Sequence, residues 1–365
     1  MILNRVHLGD FRNYGTLDLE FHPKLNIFIG RNAQGKTNLL ESIYFLALAK
    51  SHRTSKDKEL IRFGQDEAYV NGNITTAYST LPLSLSVSGK GKRAKVNHME
   101  VSKLSQYIGH LNVVLFAPED LNIVKGSPQI RRKFINMECG QISKVYISML
   151  SGYQKVLAQK NNYLKQRNVD RVMIDVLNEQ LAYYASLIIL KRQQFVDTIE
   201  KYARKIHGDI SNGQEILSVR YRPNVRYEAT DVEMLEQELK LLLDETLERE
   251  IERGQALIGP HRDDISFHIN DYDVQTYGSQ GQQRTTALSV KLAELELINE
   301  EVGEYPILLL DDVLSELDET RQSHLLTSIR NRVQTFVTTT SISDINHAIM
   351  DEMQVFGIEE GNVKV

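Results

Sequence analysis

The chain has 365 residues, is 41% hydrophobic and 25% charged, and carries a formal charge of −5 with one cysteine, Cys139. That make-up is ordinary for a soluble globular protein with room for two domains. An intrachain disulfide is excluded, no apolar run approaches the roughly 18 residues that span a bilayer, and MILNRVHLGD lacks a signal-peptide pattern; a cytoplasmic protein with no membrane partner is expected.

The first thirty residues alternate apolar and polar (ILNRVHL, LDLEF) and end in a buried strand, LNIFIG. A helix is expected over 37–50. Residues 68–116 read as further strands around the basic turn SGKGKRAK, closing with the buried run LNVVLF. From about 128 long helical patterns take over, with few breakers. LSVRYRP at 217–223 is strand-like, 230–253 is a charged helix, and strands return at DISFHI and YDVQTY. A helix over 284–299 and two strands, YPILLLDD and QTFVTTT, complete the chain. The pattern predicts an α/β head split between residues 1–120 and 254–365, with a mainly helical lobe, 121–253, inserted between them.

Charge is uneven along that lobe. Residues 121–205 hold fifteen Lys/Arg against six Asp/Glu, whereas 228–252 hold ten acidic residues against two basic ones. A near-neutral total can therefore conceal a basic face suited to nucleic acid.

Three stretches carry chemistry. Gly30-Arg31-Asn32-Ala33-Gln34-Gly35-Lys36-Thr37 matches the phosphate-loop pattern at every fixed position, between a hydrophobic strand and a helix. Glycines let backbone amides wrap phosphates, and the helix N-terminus adds its dipole. Lys36 reaches the outer phosphates in such a loop, and Thr37 ligates Mg²⁺. Second, YPILLLDD delivers Asp311 and Asp312 at the C-terminal end of a buried strand, where α/β folds do ligand chemistry. Asp311 is the candidate Mg²⁺ partner and Asp312 the candidate base, its short side chain predicting slow hydrolysis. Third, SQGQQ opens a helix, as an anion site does. The plainer reading of the first stretch is a glycine turn between strand and helix, and of the second a strand ending in a solvated acidic turn.

The order GRNAQGKT, SQGQQ, LLLDDVLSELD resembles the ATP-binding-cassette ATPases, and the long helical insertion resembles their SMC branch. MILNRVHLGDFRNYGTLDLEF, FIGRNAQGKTNLLESIYFLALAKSHR, FAPEDLNIVKGSPQIRRKFIN, ALIGPHRDD and SQGQQRTTALSVKLAE narrow the likeness to the RecF family of bacterial recombination-mediator ATPases, over nearly the whole chain. The resemblance implies a weak, DNA-stimulated ATPase used as a switch. Two copies would close around ATP, with Ser279 and Gly281 touching the γ-phosphate held by the opposite copy and Ser315-Glu316-Leu317-Asp318 lining the seam. Arg12, Asn13 and Arg53 are implied near the nucleotide. The implied role is recognition of gaps or stalled forks, recombinase loading through a RecR-type mediator, and SOS induction.

Two features of the wider ATP-binding-cassette pattern are missing. VTTT at 337–340 replaces the switch histidine, offering Thr339 or Thr340, and APED replaces the glutamine after the strand VVLF. For DNA, single-stranded, gapped or duplex, the candidate cations are Lys90, Lys92, Arg93 and Lys95, then Arg131 and Arg132; the plainer reading is that such charges solvate surfaces. In GPHRDD, residues 259–264, a loop with Arg262 paired to a carboxylate competes with a catalytic reading. The rival functions are an SMC-like structural chromosome ATPase, which needs long coiled coils, and a metabolic phosphate-loop enzyme, which would work as a monomer without DNA.

Overall fold

The computed structural model describes residues 1–166, 169–229, 231–341 and 353–364, and all their side chains but those of Glu316, Glu319 and Thr320. The chain divides into two units: residues 1–120, 209–213 and 287–365 form the first, and 121–208 with 214–286 the second.

The first unit holds two sheets. One is antiparallel, in the order Tyr14–Glu20, Ile2–Phe11, Glu67–Thr75, Thr80–Ser88, Gly91–Val96, Met99–Glu100. Its strands obey the period of two: Ala68, Val70 and Ile74 are buried, as are Leu83, Leu85 and Val87 on the paired strand. The other sheet runs Asn362–Lys364, Met353–Glu359, Leu25–Ile29, Thr335–Thr339, Ile307–Asp311, Val113–Phe116, and is parallel except for its terminal hairpin. Those inner strands are buried on both faces, which is why they read as unbroken apolar runs. Phe21, Phe28, Phe336 and Phe356 cluster against this sheet, with Phe21 and Phe336 edge to face at 4.8 Å.

Between the sheets lies the helix Lys36–Leu48, which touches strands of both. Eleven of its thirteen residues are buried. That explains a sequence that is apolar on nearly every side and not merely along one stripe. The helix stops at Ala49, in the left-handed region (φ 52°), whose amide closes on the Phe45 carbonyl.

The second unit is mainly helical: Pro128–Ile142, Lys144–Tyr163, a 40-residue helix Arg171–Ile210, Val232–Glu245 and Leu247–Arg253. A three-stranded sheet, Tyr272–Asp273, Asp264–Ile269, Leu217–Arg222, accompanies them. The expected strand YDVQTY is only two residues long. The Asp273 carboxylate accepts from the Thr276 amide at 2.8 Å and starts a helical turn, Val274–Tyr277. The expectation of a basic lobe is also revised. The basic run 121–205 and the acidic helices after it fall in one unit, which totals 23 Lys/Arg and 21 Asp/Glu.

Candidate functional site

The phosphate loop follows the strand Leu25–Ile29 and turns into the helix Lys36–Leu48. Its turn requires glycine at both ends. A Cβ at Gly30 would stand 2.3 Å from the Ile358 carbonyl oxygen. Gly35 sits at φ 119°, where a Cβ would also press within 2.9 Å of Asn13 and Tyr14. Ala33 takes a left-handed conformation at φ 64°. The loop is pinned from outside: Tyr14 Oη donates to the Gly35 carbonyl at 3.0 Å, the Gly361 amide to the Gln34 carbonyl at 3.0 Å, and the Glu360 amide to Gln34 Oε1 at 2.7 Å. Lys36 Nζ curls back onto the Gly30 and Arg31 carbonyls at 2.7 and 3.0 Å. Burial pulls its ammonium below the usual lysine range, opposed by Asp312 and Asp311.

The strand Ile307–Asp311 brings the acidic pair to this loop. Asp311, 7% exposed, accepts from Thr37 Oγ1 at 3.0 Å and from Thr338 Oγ1 at 2.8 Å. Both of these partners are neutral hydroxyls. Asp312 departs from the strand at φ 56°, a strained conformation for a non-glycine residue, and its amide donates to Thr338 Oγ1 at 2.8 Å. A cavity of about 440 Å³ is lined by Lys36, Thr37, Asn38, Arg53, Asp312 and Thr338 together with Asn32, Ala33 and Gly35. That volume is in the range of small-molecule sites. Loop residues, an ammonium, two hydroxyls and a carboxylate around one space, with Asp311 bonded to both hydroxyls, suit a triphosphate with a hard divalent cation, whose preferred ligands are oxygens.

A second layer orders the rim. Glu41, fully buried on the phosphate-loop helix, takes both Arg12 nitrogens at 2.7 and 2.9 Å and stands 3.7 Å from Arg53. Arg12 also donates to the Glu59 carbonyl at 2.7 Å, so it braces the loop without lining the cavity. Asn13 bonds the Gln34 carbonyl and receives Asn38, which in turn receives Arg53 at 2.8 Å. Arg53 therefore reaches the cavity and Arg12 does not. His52 stacks edge-on against Tyr44, with Nε2 4.0 Å from Asp311, and neither ring nitrogen has a hydrogen-bond partner among the described residues. Burial holds its pKa below the usual histidine value, against the pull of Glu41 and Asp311.

The other polar stretch, in the second unit, is a helix cap. Ser279 precedes the helix Gln280–Val302; its Oγ accepts from the Gln282 amide at 3.2 Å, and its own amide donates to Gln282 Oε1 at 2.9 Å. This reciprocal pair is a capping box. Ser279 is exposed and Gly281 half-buried.

Residues 2–364 match the model of the RecF/RecN/SMC N terminal domain. The chain belongs to the RecF family. The DNA replication and repair protein RecF of Staphylococcus carnosus (strain TM300) is 59% identical, and that of Staphylococcus aureus (strain JH9) 58%, each over the full length of both chains. A solved structure of the recombination mediator protein RecF-ATPrS in the RecFOR pathway superposes with a TM-score of 0.92 at 35% identity, covering 99% of this chain and 97% of that one. An SMC head bound to the C-winged helix domain of ScpA shares the fold, with a TM-score of 0.58 at 16% identity over 100% of this chain and 96% of the other. The architecture is thus the SMC-like ATPase head of the RecF family, with an inserted helical lobe.

The candidate DNA cations separate on their surroundings. Lys90, Arg93 and Lys95 are exposed. Lys92 is engaged by Asp57 at 2.8 Å and the Ala49 carbonyl at 2.8 Å. Reading Arg131 as a DNA contact is corrected: it is buried and bidentate to Asp264 at 2.6 and 2.8 Å. Arg132 donates to the Asp263 carbonyl at 2.7 Å. GPHRDD in this RecF-family chain is a hydrogen-bonded framework in which Gly259, Pro260 and Asp263 are buried and Arg262 is exposed. Asp263 pairs with Arg192 at 3.6 Å and receives Tyr221 and the Asn224 amide, His261 bonds Tyr153 at 2.6 Å, and Arg262 meets the Ala256 carbonyl where a carboxylate was expected.

Glu41, His52 and Thr338 are the residues sequence reasoning missed. Thr338 bonds Asp311, whereas Thr339 bonds the Ser341 carbonyl. Of the APED segment, Asp120 turns inward to accept the Ala117 amide at 2.8 Å. Within the seam stretch Ser315–Asp318, the Glu316 side chain lies outside the described residues; Asp318 caps the helix Glu319–Ile329.

Proposed function

We propose that the protein is an ATP-switched DNA-binding protein of recombinational repair and replication, in which two copies close around ATP. The observation that carries this reading is one cavity lined by Lys36, Thr37 and Asp312, with Asp311 bonded to Thr37 at its wall. The relatives' names, a DNA replication and repair protein and a recombination mediator of the RecFOR pathway, supply the biological setting.

In this mechanism loop amides and Lys36 hold the β- and γ-phosphates. Thr37 and, through water, Asp311 would hold Mg²⁺, which offsets phosphate charge. Asp312 orients a water against the γ-phosphorus and takes its proton as the bond to the ADP oxygen breaks. Arg53, steadied by Asn38 and Glu41, meets charge that develops on the transferring group. Ser279 and Gly281 contact the γ-phosphate bound by the other copy, so ATP joins the dimer and its hydrolysis reopens it. Exposed Lys90, Arg93 and Lys95 hold DNA backbone phosphates, single-stranded, gapped or duplex, in a salt-dependent manner. Gap or stalled-fork marking, recombinase loading with a RecR-type mediator, and SOS induction follow from that switch.

Sedimentation with Mg²⁺ and ATP against ADP tests it, using Asp312→Asn to block turnover. A dimer with ATP alone is expected; a monomer under both conditions refutes the reading. Ser279→Arg should abolish the dimer while leaving ATP binding nearly intact, and loss of both would make the serine structural.

A further inference from the structure

We infer that Glu215 and His207 are positioning residues for the Ser279 hydroxyl, holding it ready to donate to a phosphate oxygen. The inference rests on the trans-phosphate role of Ser279 proposed above and extends it to residues that no sequence motif contains.

The chain of bonds is continuous and lies within the second unit. Gln282 Nε2 donates to Glu215 Oε1 at 2.8 Å, and His207 Nε2 lies 2.9 Å from Glu215 Oε2. His207 is fully buried in the last turn of the helix Arg171–Ile210, while the Glu215 side chain is 24% exposed. Glu215 lies two residues before the strand Leu217–Arg222.

The polarity of this chain has a chemical consequence. A carboxylate only accepts, so Glu215 compels Gln282 to aim its NH₂ group outward and its carbonyl oxygen at the Ser279 amide. With that orientation the capping box forms, and the Gln282 amide proton occupies a lone pair of Ser279 Oγ. The hydroxyl proton then remains to donate. A flipped Gln282 side-chain amide would set its NH₂ against the Ser279 N–H, break that arm of the box and loosen the turn that carries the serine. A cap needs only the serine and glutamine; the carboxylate behind them, backed by a buried histidine, resembles the way ligand-orienting groups are secured in preorganised sites.

The test is Glu215→Gln in the full chain, read as the dimer dissociation constant with ATP and Mg²⁺ by sedimentation, alongside ATP affinity below the dimerising concentration. Losing a charged hydrogen bond should weaken the dimer by about tenfold, with ATP affinity of the monomer unchanged. The double variant Glu215→Gln/Gln282→Glu reverses the bond while retaining an acceptor for the Ser279 amide, and should restore dimerisation. An unchanged dimer in Glu215→Gln, with Ser279→Arg still disruptive, overturns this inference and leaves the sandwich reading standing. A weakened dimer that the reversed pair does not rescue, with a lowered melting temperature, also overturns it, by showing a structural role. Persistence of the dimer in Ser279→Arg overturns both.

Discussion

Each unit contains two consecutive aspartates, and their fates diverge. Asp263 and Asp264 each face a guanidinium, Arg192 at 3.6 Å and Arg131 at 2.6 Å. Asp311 faces two threonine hydroxyls, and Asp312 lines an open cavity with Lys36. The first pair is neutralised by its own chain and ties a loop to two helices. The second is held by threonine hydroxyls and faces the Lys36 ammonium across the cavity, which leaves carboxylate oxygens available to a cation or a water. Residue type is the same in both; what separates a framework from a site is whether the partners cancel the charge.

That contrast can be broken by substitution. Replacing Asp312 with Asn should reduce the ATP hydrolysis rate by about 10²–10⁴-fold, the range for a lost general base, with the melting temperature nearly unchanged. A comparable stability loss would place Asp312 with the framework pair. Arg192→Met leaves Asp263 buried without its cation and should cost roughly 3–5 kcal/mol of unfolding free energy in urea titrations. ATP affinity measured well below the unfolding transition should hold; a large fall in affinity at intact stability would blur the distinction.

A smaller effect sharpens it through pH. Burial drives His261 down from 6.5 to about 4, aided by Arg262, Arg132 and Lys160. The histidine is neutral in the folded protein while the unfolded chain protonates near 6.5. Its contribution is therefore complete above pH 6.5 and is lost as pH falls toward 4. Between pH 7.5 and 5 the loss is about 2 kcal/mol. Urea titrations at the two pH values should show it, and His261→Gln should flatten the difference. No pH-dependent gap between wild type and variant would remove His261 from the framework.

Local pattern made much of the site legible. Glycine spacing, a flanking strand and a helix announce the phosphate loop, and an apolar run ending in two aspartates announces the acidic strand, because both depend on neighbours in sequence. Thr338, His52 and Glu41 escape such reading, since their meaning comes from packing across 27, 259 and 29 residues of separation from Asp311 or Arg12. The same limit applies to Arg131, whose basic neighbours suggest a nucleic-acid contact although its partner lies 133 residues away. Composition misled where a basic stretch and its acidic counterweight fold into one unit. The short turn at Val274–Tyr277 was hidden in an alternating pattern that Asp273 interrupts by capping.

The helix that opens at Lys36 has almost no solvent to move into. Its first residue belongs to the phosphate loop and its flanks press on strands of both sheets. Close-packed interiors transmit displacement and do not absorb it. Any axial shift imposed at the loop is therefore handed to the antiparallel sheet, whose outer surface bears Arg93 and Lys95. Mechanically, the helix is a push-rod: packed on nearly every side, it would carry a displacement of the phosphate loop to the sheet that bears Arg93 and Lys95.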